Sequence, residues 1–123
     1  MTPTNRKDTA HYPLAQIKLA FAERRIRLSK KARDSMIIEG MDSCELVEHV
    51  QSLRAANCHQ SVTDIYDHTV WLDSYLFRRA DGMTWYLKFK PNTAGPQGEI
   101  FVVSLHPSDA GQPGHRRGGE RSE

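Results

Sequence analysis

The sequence predicts an α+β fold, with N-terminal helices packed on a twisted antiparallel sheet. Three observations carry this. Apolar residues recur at helical spacing through the first half of the chain. From residue 69 the pattern changes to period two, in a stretch rich in Val, Trp, Tyr, Leu and Phe. Asp81-Gly82 then separates two such runs, a strong hairpin signal. Helices followed by strands is the order expected when one helical layer covers an antiparallel meander.

Each helix has a local reason. Pro13 suits a first helical turn, because the N–H it lacks would be unpaired there anyway. Leu14, Ile17 and Phe21 follow at 3.6-residue spacing, with Lys18 and Arg25 bordering the stripe, which predicts a helix over 13–25. Ser29 can cap a short second helix ending at Glu39, and Gly40 fits just past its end. Ala32, Met36 and Ile37 would face inward. Asp42 followed by Glu45 is a capping-box variant. Leu46, Val47, Val50 and Leu53 form the apolar stripe of a third helix over 43–54.

The strands are expected at 69–79, 83–90 and 99–106. In the second, Trp85, Leu87 and Phe89 alternate with Tyr86, Lys88 and Lys90, giving one apolar face and one carrying a phenol and two ammonium groups. Residues 91–98 read as a Gly/Pro/Asn loop. In the third strand, the run Ile100-Phe101-Val102-Val103 predicts burial on both faces. The fold should occupy 12–106. Residues 1–11 are polar and read as a flexible N-terminus. The Gly/Pro/Arg-rich tail over 107–123 reads as disordered.

Composition narrows the function classes. A chain of 123 residues implies one domain. A formal net charge of +2 excludes a histone-like polycation. No apolar run is long enough to span a membrane, and the N-terminus lacks the apolar segment of a secretory signal. Cys44 and Cys58 make neither a disulfide framework nor a C-x-x-C zinc motif, which points to the reducing cytoplasm. The small net charge conceals an asymmetry. Residues 18–33 carry seven basic side chains against Glu23, and residues 34–73 carry eight acids against Arg54. Such segregation suggests two surfaces with different partners, a basic one suited to phosphates; on the charges alone, helix faces solvated by water are the preferred reading.

No nucleophile elbow, phosphate-binding loop or dinucleotide fingerprint is present. His59, His68 and His106 lack the spacing of a zinc motif, and the adjacency of Cys58 and His59 carries little information. Taken singly, His68, Trp71 and Tyr75 read as packed, hydrogen-bonded residues. Tyr86, Lys88 and Lys90 are the more informative set, about 7 Å apart along one strand face. A phenol can deliver a proton and an ammonium can stabilise a phosphorane oxyanion, both without a metal. Taken alone they also suit an ordinary exposed strand face, where lysines discourage edge pairing.

Residues 66–75 read Tyr-Asp-His-Thr-Val-Trp-Leu-Asp-Ser-Tyr. This resembles the D-H-x-x-W-Q-D-x-Y signature of the MqsR family of type II toxins. Residues 85–89 look like the family's Y-[LIV]-K strand, and 99–106 like its closing V-S-F-K strand. Residues 53–62 align with its L-x-x-x-x-F-Y-K-S-M stretch, and 12–21 with its first helix. The resemblance implies a RelE-like α+β fold and a metal-independent endoribonuclease, an mRNA interferase without cofactor. It also implies two partners, single-stranded RNA and an MqsA-like antitoxin.

Four positions carry the family's chemistry, and this chain differs at three. Gln60 stands where the family has lysine, Leu72 where it has glutamine, and His106 where it has its final lysine; Tyr86 is kept. An imidazole can act as base or acid near neutral pH, so the exchange at 106 keeps proton transfer available. The expected catalytic set is therefore Tyr86, His106, Lys88 and His59. Gln60, His68, Trp71 and Lys90 are expected to contact substrate. A degenerate module that binds antitoxin or RNA without cutting is the alternative, motivated by Gln60 and Leu72. A metal-dependent enzyme using the scattered histidines is a third.

Overall fold

The computed structural model describes residues 5–108. Three helices, α1 (Leu14–Ala22), α2 (Lys30–Glu39) and α3 (Ser43–Gln51), cover one face of a six-stranded sheet. The strands are β1 (Arg6–Lys7), β2 (Ile26–Leu28), β3 (Cys58–Thr63), β4 (Trp71–Arg78), β5 (Thr84–Pro91) and β6 (Ile100–Pro107). Their order in the sheet is β1-β3-β4-β5-β6-β2. All neighbours are antiparallel except β2 and β6, which run parallel. The α+β class is as the sequence predicts.

The helix caps follow local chemistry. Ser29 Oγ accepts from the Ala32 amide, and Gly40 closes α2 at φ 70°, where a side chain would be strained. The Asp42 carboxylate accepts from the Glu45 amide at the start of α3. Helix α1 ends earlier than its stripe suggests. Arg24 adopts φ 60°, and the Arg24 and Arg25 amides bond back to the Phe21 and Ala20 carbonyls. This left-handed cap turns the chain into β2.

The sheet is larger than the expected meander. Strand β2 is three residues long and lies inside the basic run; β3 reads Cys-His-Gln-Ser-Val-Thr, without apolar alternation. β2 alternates over only three residues, too few to read as a strand, and each forms because a neighbouring strand offers its edge. Residues 6–7, expected within a flexible N-terminus, pair with Val62 and Ser61 of β3. The expected tail over 107–123 begins with Pro107 still in β6; residues 109–123 lie outside the described residues.

The core lies between helices and sheet. Ile17, Phe21, Met36, Leu46 and Val50 meet Tyr75, Phe77, Trp85, Leu87 and Phe89. The expected burial of β6 on both faces is met on one. Ile100 and Val102 are buried, whereas Phe101 and Val103 are half-exposed. The reason is that, among the described residues, helices cover one face of this sheet.

Candidate active site

The uncovered face is assembled by parity. On β5, the buried residues Trp85, Leu87 and Phe89 point to the helices, so Tyr86, Lys88 and Lys90 share the opposite face. On β4 the same parity sends Tyr75 and Phe77 inward and leaves Leu72, Ser74 and Leu76 outward. Leu72 is 8% exposed yet stands outside the apolar core cluster, as this requires.

Two irregularities in register bring the histidines to this face. Between β5 and β6 the pairing passes from Lys88↔Ser104 to Phe89↔Val102, leaving Val103 as an extra residue. Without that bulge, the inward parity of Ile100 and Val102 would carry His106 into the core. With it, Leu105 turns inward and His106 lies opposite Tyr86. In β3 the pairing passes from Cys58↔Tyr75 to Gln60↔Ser74, leaving His59 as the extra residue.

The result is a row. The Tyr86 ring lies 5.4 Å from the His106 ring and 6.1 Å from the His59 ring, centroid to centroid. His106 Nδ1 lies 2.9 Å from its neighbouring Pro107 carbonyl oxygen, where a protonated nitrogen would donate. One step along β5, Lys88 sits between Ser74 and Ser104. Its ammonium has no hydrogen bond or ion pair among the described residues. Gln60 pairs with Ser74, whose hydroxyl donates to the Gln60 carbonyl at 3.0 Å, so Gln60 belongs to the row of Lys88.

The remaining expected residues are placed differently. Lys90 is on the face, but its ammonium donates to Asp64 Oδ2 at 2.8 Å. That bond holds the Asp64 carboxyl below its ordinary range. Trp71 shares the parity of Asp73 and Tyr75, away from the row. His11 stacks on it at 5.0 Å, and the Lys7 ammonium lies 4.4 Å from its ring centre. His68 lies in the connection between β3 and β4, with no ring contact or hydrogen bond to the row among the described residues. The structure thus brings together Tyr86, His106, His59, Lys88 and Gln60, and separates Trp71 and His68 from them.

Cys58 and His59 are not a nucleophile pair. The thiol packs against the core and burial pushes its pKa up, while the imidazole lies beside Tyr86 on the other face. Among the described residues, no group of three or more His, Cys, Asp or Glu side chains is arranged to hold a metal ion. A separate cleft of about 690 Å³ lies between α1 and the β5–β6 loop, lined among others by Tyr12, Gln16, Leu19, Arg25 and Gln97; none of the row lines it.

The motif residues Trp71, Asp73 and Tyr75 serve the fold. Asp73 is fully buried and accepts from Ser61 Oγ at 2.6 Å, from the Tyr12 amide at 2.9 Å and from the His11 amide at 3.0 Å. It fastens the N-terminal segment to the sheet. Sequence reasoning missed this anchor and the Asp64–Lys90 pair. Both join segments far apart in sequence, so period-two counting along one strand gives no signal for either.

A family model described as "Motility quorum-sensing regulator, toxin of MqsA" matches residues 9–106. The chain belongs to the MqsR toxin family. The match runs from just before α1 to His106 and includes all of β3, β4 and β5. No curated protein matches the chain. As an MqsR-family toxin, the protein belongs to a toxin–antitoxin system, which implies an antitoxin partner. The three departures from the family pattern, Gln60, Leu72 and His106, all lie on the uncovered face. None of the described helices is long and apolar enough to cross a membrane.

Proposed function

We propose that this toxin is a metal-independent endoribonuclease that cuts single-stranded messenger RNA in the cytoplasm and arrests growth. The observation that carries the reading is the row of His59, Tyr86 and His106, with Lys88 one step along the same strand. In the reaction the RNA 2′-hydroxyl loses its proton to a base and its oxygen forms a bond to the adjacent phosphorus. The P–O5′ bond breaks and the 5′-oxygen takes a proton from an acid. The products are a 2′,3′-cyclic phosphate and a 5′-hydroxyl.

The side chains divide this work. His106 and Tyr86 supply the base and the acid, and His59 offers a second imidazole on the other side of Tyr86. Lys88 supplies positive charge to the phosphorane oxygens. Gln60, in the same row as Lys88 with Ser74 between them, hydrogen-bonds substrate in this reading. An antitoxin that binds the chain and stops cleavage completes the proposal.

The test is cleavage of a short single-stranded RNA by purified protein in the presence of EDTA, with sequencing of the 5′-hydroxyl ends. Tyr86→Phe and His106→Ala should each lower the rate by roughly 10²–10⁴-fold, the usual contribution of general acid–base catalysis. His106→Lys should change the shape of the pH–rate profile, because an ammonium replaces an imidazole at that position. Wild-type protein that cuts no RNA and does not slow growth on expression would remove the enzyme reading.

One observation favours a second reading, a binding module without catalysis. Leu72 places an inert side chain on the face itself, opposite Val62 of β3, where the family has glutamine. RNA or antitoxin binding without cleavage would establish that alternative.

A further inference from the structure

The uncovered face does not end at Lys88. One step further along β5 is Lys90, and beyond it lies the connection between β3 and β4. The Asp64 carboxylate joins the two. Its Oδ2 accepts from Lys90 Nζ and its Oδ1 from the Tyr66 amide, both at 2.8 Å. The Tyr66 backbone is therefore one carboxylate away from the strand that carries Tyr86 and Lys88.

The connection is locally fixed. Asp64 N bonds to the Val70 carbonyl and Val70 N to the Asp67 carbonyl. Asp67 Oδ1 accepts from both the amide and the hydroxyl of Thr69. On this braced turn Tyr66 is 91% exposed and Ile65 67% exposed. An aromatic ring held out into water on a fixed turn loses burial that folding would otherwise gain. Positive charge lies on the way to it. Lys88 has no ion-pair partner among the described residues, and Arg6 enters the face on β1 opposite Val62.

We infer that Tyr66 is a distal base-stacking subsite for single-stranded RNA, reached by a strand running along β5 from the Tyr86–His106 row. Lys88 and Arg6 attract the phosphates between, and the Asp64–Lys90 pair positions the turn. The inference rests on the endoribonuclease reading and adds a length requirement to it. Successive rows are about 7 Å apart, so the turn lies about 20 Å from Tyr86. Only an oligonucleotide of roughly four or more residues can touch both ends.

The experiment measures binding of uncleavable, fluorescently labelled 2′-O-methyl RNA oligonucleotides, one of two and one of eight nucleotides. Wild-type protein should bind the longer one more tightly. Tyr66→Ala should weaken the longer one by roughly 5- to 150-fold, the range of one base–aromatic stack, and leave the shorter one unchanged. Tyr66→Phe should restore the longer one, because stacking needs the ring and not the hydroxyl. Arg6→Ala should reduce the salt dependence of binding the longer oligonucleotide only. Equal affinity of wild type and Tyr66→Ala for the longer RNA overturns the inference and leaves a protein partner as the turn's occupant. Equal weakening of both lengths also overturns it, since that reports damage to the fold. Failure of wild type to bind either oligonucleotide removes the RNA reading itself, a result distinct from the other two.

Discussion

The two faces of this sheet are made from alternate residues of the same strands, and they follow different rules. The face under the helices is closed. Tyr75, Leu87 and Phe89 are fully buried, and its one carboxylate, Asp73, is satisfied by two backbone amides and a hydroxyl. The other face is open. It gathers the Tyr86 phenol, the His59 and His106 imidazoles and the Lys88 ammonium. The difference teaches where to look for function. The motif residues Asp73 and Tyr75 are buried on the helix side, while Leu72 and Ser74, between them in parity, lie on the uncovered face with Tyr86 and Lys88.

That contrast can be broken by substitution. The largest expected effect is on Leu87, at the centre of the closed face. Leu87→Ala should cost about 2–5 kcal/mol in chemical denaturation, whereas Tyr86→Phe, its neighbour, should change stability by less than about 1 kcal/mol. A Tyr86→Phe variant as unstable as Leu87→Ala would show that the two faces are not separate in function.

Asp73→Asn comes next. An amide nitrogen in place of one carboxylate oxygen would face the His11 or Tyr12 amide, donor against donor. The expected cost is about 2–4 kcal/mol. Amide hydrogen exchange should show the loss first in residues 6–12. Uniform loss across the whole chain would mean that Asp73 does not act as the anchor of this segment.

Glu45 sharpens the comparison through pH. Its carboxyl is lowered to about 2, chiefly by the hydrogen bonds from Arg79, which also donates to the Glu39 and Gly40 carbonyls. A carboxyl depressed in the folded state stabilises the protein above its unfolded pKa of about 4.3, and that contribution is lost as pH falls through the folded value. Glu45→Gln should cost about 1–2 kcal/mol at pH 7, a figure reduced for partial solvent screening. The gap between wild type and variant should close between about pH 5 and pH 2. A pH-independent gap would place the effect in packing.

The smallest effect expected is a gain. Arg24 holds φ 60° at the end of α1. Arg24→Gly should raise stability by about 0.5–1 kcal/mol, since glycine adopts this conformation without the steric cost of a Cβ. A loss instead would show that the hydrogen bonds of the Arg24 guanidinium to the Phe21 and Ala22 carbonyls outweigh the strain.

Much of the fold is legible in the sequence where the signal is local. Ser29, Gly40 and Asp42 mark the ends of α2 and α3, because a cap acts within one helical turn. The alternation in β5 defines both faces of that strand, and by itself it assigns Tyr86 and Lys88 to one surface. The inward stripe assigned to α2 is legible only in part: Ala32 and Met36 are buried, but Ile37 is 71% exposed.

Other features have no local signal. Strands β1, β2 and β3 exist only as partners of other strands. Lys90 reads as a substrate contact along its own strand, and the fold places Asp64, 26 residues away, beside it. Trp71 reads as a substrate contact, yet parity puts it under His11. By itself the sequence determined which residues alternate and where helices start and stop, because both depend on neighbours within a few positions. The tertiary structure alone decided which histidines meet Tyr86. One bulge at Val103 and another at His59 reset the register, and a register is a property of two strands together.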